Sequence, residues 1–165
     1  MANLTDFKGS FQALARPNLF RVEGLGADRS MEFMCKASTI PEMTLGRIEV
    51  PFMGRKIGIP GDRTFETWTV TVINDDSYTL RSFFEKWMNE IGAADSPFSG
   101  LADIETIKYD GQVSQLGNDG SVIATYNMVG CFPTSISPQE LNGEETDSIS
   151  ECEITLSIDW FERTI

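Results

Sequence analysis

The sequence predicts a mainly β protein, an antiparallel two-sheet β-sandwich or partly open barrel with one flanking α-helix. Three observations carry that expectation. Several segments alternate apolar and polar side chains with period two, as strands with one buried face do. A single stretch switches to the helical period, and no strand–helix–strand alternation calls for a parallel sheet. At 165 residues the chain is expected to form a single domain, 1–165, long enough to bury a core.

The first 15 residues read as an arm with a weak amphipathic pattern in Leu4, Phe7, Phe11 and Leu14, stopped by Pro17. It either packs on its own domain or is left for a neighbouring copy to cover. Asn18 to Leu25 and Ser30 to Ser38 read as strands separated by Gly24, Gly26 and Asp28. In the second, Met31, Phe33, Cys35 and Ala37 alternate with Glu32, Met34 and Lys36. Thr44 to Val50 is a short strand leading into a long protruding loop, about 44–63, where Pro51, Gly54, Gly58, Pro60 and Gly61 are expected to interrupt pairing. Phe65 to Ile73 sets Trp68, Val70 and Val72 against Thr67, Thr69 and Thr71, the pattern of a half-buried strand.

The period then changes. Leu80, Phe83, Phe84, Trp87, Met88 and Ile91 fall on one stripe, which predicts a helix at about 77–91 with Asp75, Asp76 or Ser77 as cap and Gly92 as terminator. Ala93 to Asp103 is rich in Gly, Ser, Pro and Asp and reads as a surface loop. Ile104 to Leu116 and Ser121 to Phe132 form a hairpin across Gly117-Asn-Asp-Gly120. In the last strand Cys152, Ile154, Leu156, Ile158 and Trp160 alternate with Glu151, Glu153, Thr155, Ser157 and Asp159, one face apolar and the other acidic and hydroxylated.

Composition removes most chemistry. No histidine is present, which excludes Ser-His-Asp and Cys-His nucleophilic machinery and most zinc and non-haem iron sites. Cys35, Cys131 and Cys152 cannot all pair within the chain and lack metal-knuckle or redox spacing, so they read as reduced core residues. No catalytic, cofactor or metal residue is assigned. A carboxylate-dependent enzyme or a sugar-binding module using Trp68, Trp87 or Trp160 is the competing reading, and against it each tryptophan stands in register with an apolar face. No apolar run approaches the ~20 residues that span a bilayer, and the N-terminus lacks the basic and apolar regions of a signal peptide. Membrane anchoring is therefore not expected, and assembly in a cytoplasm is.

Charge points to self-association. The 25 acidic and 13 basic residues give −12, yet Arg47, Arg55, Lys56 and Arg63 crowd into the loop beside Phe52, Met53, Ile57 and Ile59. These eight are the candidate contacts between copies, and Glu144, Glu145 and Asp147 are the candidate acidic seat on a neighbour. If copies close into a ring, Glu151, Glu153 and Asp159 are candidates to line the bore. So acidic a surface does not grip DNA, but it lets a polyanion slide past.

Five sequence words carry a likeness: ARPNLFRVE (Ala15 to Glu23), FMCKASTIP (Phe33 to Pro41), FMGRKIGIPGDRTFETWTVTVINDD (Phe52 to Asp76), FPTSIS (Phe132 to Ser137) and CEITLSIDWFE (Cys152 to Glu162). In that order they resemble the tail tube proteins of contractile-tailed, T-even-like bacteriophages. The resemblance implies a virion structural protein, not an enzyme, and a β-sandwich or partly open barrel. It further implies six-membered rings stacked into a hollow tube, with loop 44–63 reaching toward an adjacent ring or subunit. Implied partners are further copies of the chain, a tail sheath protein, baseplate tube-initiating proteins, a tape-measure protein and genomic DNA as a passenger. A ring protein of a type VI secretion or related contractile injection system is the alternative.

Overall fold

A computed structural model describes residues 14–27, 30–92, 104–144 and 146–164. Residues 1–13 of the expected arm 1–15, the loop Ala93 to Asp103 and Glu145 lie outside the described residues.

The chain is mainly antiparallel β with one main helix. Seven strands form a path in the order β1 (Phe20–Gly24), β6 (Tyr109–Leu116), β7 (Val122–Ile136), β8 (Glu151–Ser157), β5 (Trp68–Ile73) and β2 (Cys35–Ser38), with β9 (Trp160–Arg163) also on β7. Strand β7 belongs to both halves of the sheet. Its first part pairs with β6 and β9, and beyond Gly130, at φ +67, its end pairs with β8. One half offers Val22, Val113 and Met128 to the core, and the other offers Trp68, Val70, Val72, Cys152, Ile154 and Leu156. Strands β1 and β2 end this path and, among the described residues, do not pair with each other, so the barrel stays open at that seam.

Helix α2 (Thr79–Ile91) covers this core with Leu80, Phe84 and Trp87. Its N-cap position is Tyr78, which turns the chain in at φ 51, and not Asp75, Asp76 or Ser77; Asp75, three residues earlier, accepts the Thr79 N–H and hydroxyl at 2.8 Å each. Gly92 ends it in extended geometry. The Trp87 indole N–H donates to the Ile107 carbonyl at 2.7 Å and its ring meets Tyr109 edge-on at 4.8 Å, fastening the helix to β6.

Four expected strands end differently. Ser30–Met34 is a short helix, α1, leaving only Cys35–Ser38 as β2. Met31 and Met34 both pack on the core at the i, i+3 spacing, which a strand would send to opposite faces. Ile104–Ile107 is a helical turn, α3, so β6 begins at Tyr109. Strand β7 runs on through Pro133, which a register shift accommodates. The last strand breaks after Ser157, because Asp159 is held by Lys108 at 2.7 Å and its N–H bonds the Val129 carbonyl at 3.0 Å. The chain thus leaves β8 for β7, and Trp160 is 48% exposed instead of facing the core.

The largest correction concerns 44–63. This stretch is no loop but a paired hairpin of β3 (Met43–Phe52) and β4 (Arg55–Phe65) around the turn Met53-Gly54. Pairs on such a ladder alternate between hydrogen-bonded and open. Counting from the turn-closing pair Phe52–Arg55, Pro51 and Pro60 both fall in open pairs, where no N–H is required. Gly46 and Gly61 meet at a register shift, where their backbones approach within side-chain distance.

Candidate assembly interface

The hairpin stands apart from the sheet. Strands β3 and β4 form a separate two-stranded sheet, and every residue of β3 is exposed, as is all of β4 except the half-covered Gly61 and Phe65. The register sorts its side chains onto two faces. Ile48 pairs with Ile59 and Val50 with Ile57, with Phe52 beyond them, so five apolar side chains share one face. Each is between 40% and 60% exposed. The opposite face carries Arg47, Glu49, Lys56 and, past the register shift, Leu45 and Arg63.

All eight sequence-predicted contact residues lie on this one element. Phe52, Ile57 and Ile59 belong to the apolar face, Met53 is at the tip and 90% exposed, and Arg55 flanks the turn. Lys56 is bonded to Glu49 at 2.8 Å, and the Arg47 guanidinium lies over Gly58, where a Cβ would collide with it. Sequence reasoning missed Ile48, Val50 and Glu49. The signal was available: period-two alternation continues on both sides of a Met-Gly turn.

The electrostatics are weaker than the row of cations suggests. The hairpin holds four cations but also Glu49 and Asp62, so it carries +2 against −14 for the rest of the chain. An exposed pair such as Lys56–Glu49 contributes roughly 0–1 kcal/mol. Covering five half-exposed apolar side chains is worth on the order of 5 kcal/mol. The apolar face is the stronger adhesive.

Glu144 and Asp147 are exposed beyond the polar network that fixes the segment after β7. There Gln139 accepts from Arg81 and Asn74 at 3.3–3.4 Å, and donates to Tyr78 and Ser150. Glu151 and Glu153 share the outer face of β5 and β8 with Thr69, Thr71 and Thr155. Glu151 is paired with Lys36, whereas Glu153 is exposed. Asp159 is off that row, at the corner between β8 and β9 with Lys108. Among the described residues no cluster of three or more Cys, Asp or Glu side chains could hold a metal, and no helix is long and apolar enough to cross a membrane. Trp68 and Trp87 are buried; Trp160 is the exposed exception.

A family model described as phage tail tube protein matches residues 6–163. The chain belongs to the phage tail tube protein family. It is 34% identical over 149 residues to the tail tube protein gp19 of Enterobacteria phage T4, covering 90% of this chain and 91% of that one. With the tail tube protein of Serratia phage KSP90 it shares 26% over 162 residues, 92% of this chain and 91% of the other. Among solved structures it resembles the sheath–tube complex of an extracellular contractile injection system, at TM-score 0.70 and 17% identity over 99% of each chain, a likeness of fold. The chain is therefore a structural component of a contractile phage's virion tail.

Proposed function

We propose that this chain closes into six-membered rings that stack into a hollow tube, and that hairpin β3–β4 is the contact between rings. The observation that carries this reading is the hairpin itself, a sheet of its own whose apolar face is 40–60% exposed among the described residues. A six-membered ring at −12 per copy carries −72, so stacking needs an attraction that outweighs that repulsion. The apolar face supplies most of it, and Arg55 and Arg63 meeting acids such as Glu144 and Asp147 set direction.

In this arrangement the face of Glu151, Glu153, Thr69, Thr71 and Thr155 lines the bore. Hydroxyls and carboxylates offer a phosphate backbone nothing cationic beyond Lys36, which Glu151 already holds. A tape-measure protein occupies the lumen before DNA does, a sheath surrounds the tube, and baseplate proteins start it.

The test is a hairpin truncation that joins Gly46 to Gly61 through an Asn-Gly turn. The truncated protein is expected to stay folded by circular dichroism and to stop at monomers or single rings in negative stain. Long tubes would remove the hairpin from the mechanism.

A further inference from the structure

The tip of the hairpin is built against its own conformational preference. Met53 has φ 45 and Gly54 φ 79, a turn with both central residues in the left-handed region. Such turns favour Asn, Asp or Gly at the first position, since a longer side chain there is strained. Here the position holds a methionine that is 90% exposed, so the residue suits neither the turn nor water. A side chain retained under strain at an apex points to a function met elsewhere.

At the open seam between β1 and β2 lies a hollow of about 210 Å³ lined by Pro17, Phe20, Ser38, Ile40, Val113 and Gln115. It has no charged lining residue in a chain of −12. Other hollows on the described surface carry Glu140 and Glu151, Arg21 with Glu23 and Glu32, or Glu23 with Asp110 and Glu162, or belong to the hairpin. Its volume is below the roughly 300–1,000 Å³ of small-molecule sites and suits a side chain. Ile40 on its rim is 45% exposed.

We propose that Met53 of one copy plugs this seam on the next copy, closing the interior that β1 and β2 leave open. The inference rests on the hairpin being the contact between rings. Methionine is flexible and polarisable and fits an irregular apolar hollow better than a branched side chain. The hollow adjoins the hairpin's own root, three residues before Met43. Tip and socket therefore lie at most thirteen residue steps apart, about 43 Å, which bounds the step between successive copies. Because the two surfaces differ, each docking leaves a free tip and a free socket, and the contact propagates.

Two experiments test it. Met53→Asn suits the left-handed position, so the fold should be kept while the critical concentration for tubes rises about tenfold, equivalent to 1.4 kcal/mol. Assembly at the wild-type concentration would overturn the plug. In Met53→Cys/Ile40→Cys tubes, oxidation should give a ladder of covalent oligomers. Tubes without a ladder, or a bond closed within one chain, would also overturn it, the second by making the chain's own tip the occupant. The truncation separates the two readings: truncated protein that still forms tubes defeats the hairpin contact, whereas truncation that blocks tubes while Met53→Asn forms them normally defeats only the plug.

Discussion

Gly111 on β6 has room for a hydrogen and nothing more. A Cβ there would stand 2.5 Å from the ring of Trp68, which is fully buried and donates its indole N–H to Ser38 at 3.0 Å. Gly111→Ala is expected to cost about 2 kcal/mol through overpacking, seen as a lower denaturant midpoint at unchanged slope. Asp75 acts differently. Its hydrogen bonds from the Thr79 N–H and hydroxyl hold its carboxyl below the ordinary value. A depressed carboxylate contributes stability above its unfolded pKa, about 3.9, that is lost as pH falls through the folded value. Asp75→Ala should therefore lower the melting temperature at neutral pH, with the gap to wild type closing as pH falls below about 4. Burial pushes the thiol of Cys35 up to about 11 and that of Cys131 to about 12, and raises Cys152 as well. All three should resist a thiol reagent at pH 8 until the protein is unfolded, because the thiolate is the reacting form. That the cysteines lie in or against the core was legible from pattern, whereas the helix start was read as Asp75, Asp76 or Ser77 and its N-cap position is Tyr78. The exposure of Trp160 was not legible, since it follows from the Lys108–Asp159 ion pair between residues 51 positions apart.

Strand β8 and helix α2 were legible because each shows one uninterrupted period, two or 3.6. The hairpin was legible as a projection whose first arm, Thr44 to Val50, reads as a strand, but its second strand, Arg55–Phe65, was not. Its prolines and glycines read as breaks until the register puts both prolines in open pairs. Sequence also made it look chiefly cationic, because Glu49 lies seven positions before Lys56, the cation it pairs with. A two-stranded hairpin without further support is marginal in water. In the unassembled protein its amide hydrogens are expected to exchange far faster than those of β5 and β8. On assembly they should become protected, and continued fast exchange in tubes would show that the hairpin stays in solvent.

For the whole molecule the question is which attraction overcomes repulsion between copies of −12. Salt decides between them by sign. Raising ionic strength from about 0.1 M to 1 M shortens the reach of charge from roughly 10 Å to 3 Å. If cationic arms on acidic seats were the main adhesive, tubes would shorten, whereas an apolar contact between mutually repelling rings predicts that they lengthen. In the proposed tube the face of Ile48, Val50, Phe52, Ile57 and Ile59 is covered by another copy. The most direct test is negative-stain microscopy of Ile48→Glu/Ile57→Glu at a concentration where the wild-type chain forms long tubes. The variant is expected to be a folded protein of unchanged melting temperature that forms no tubes, and long tubes from it would mean that this face is not the contact between copies.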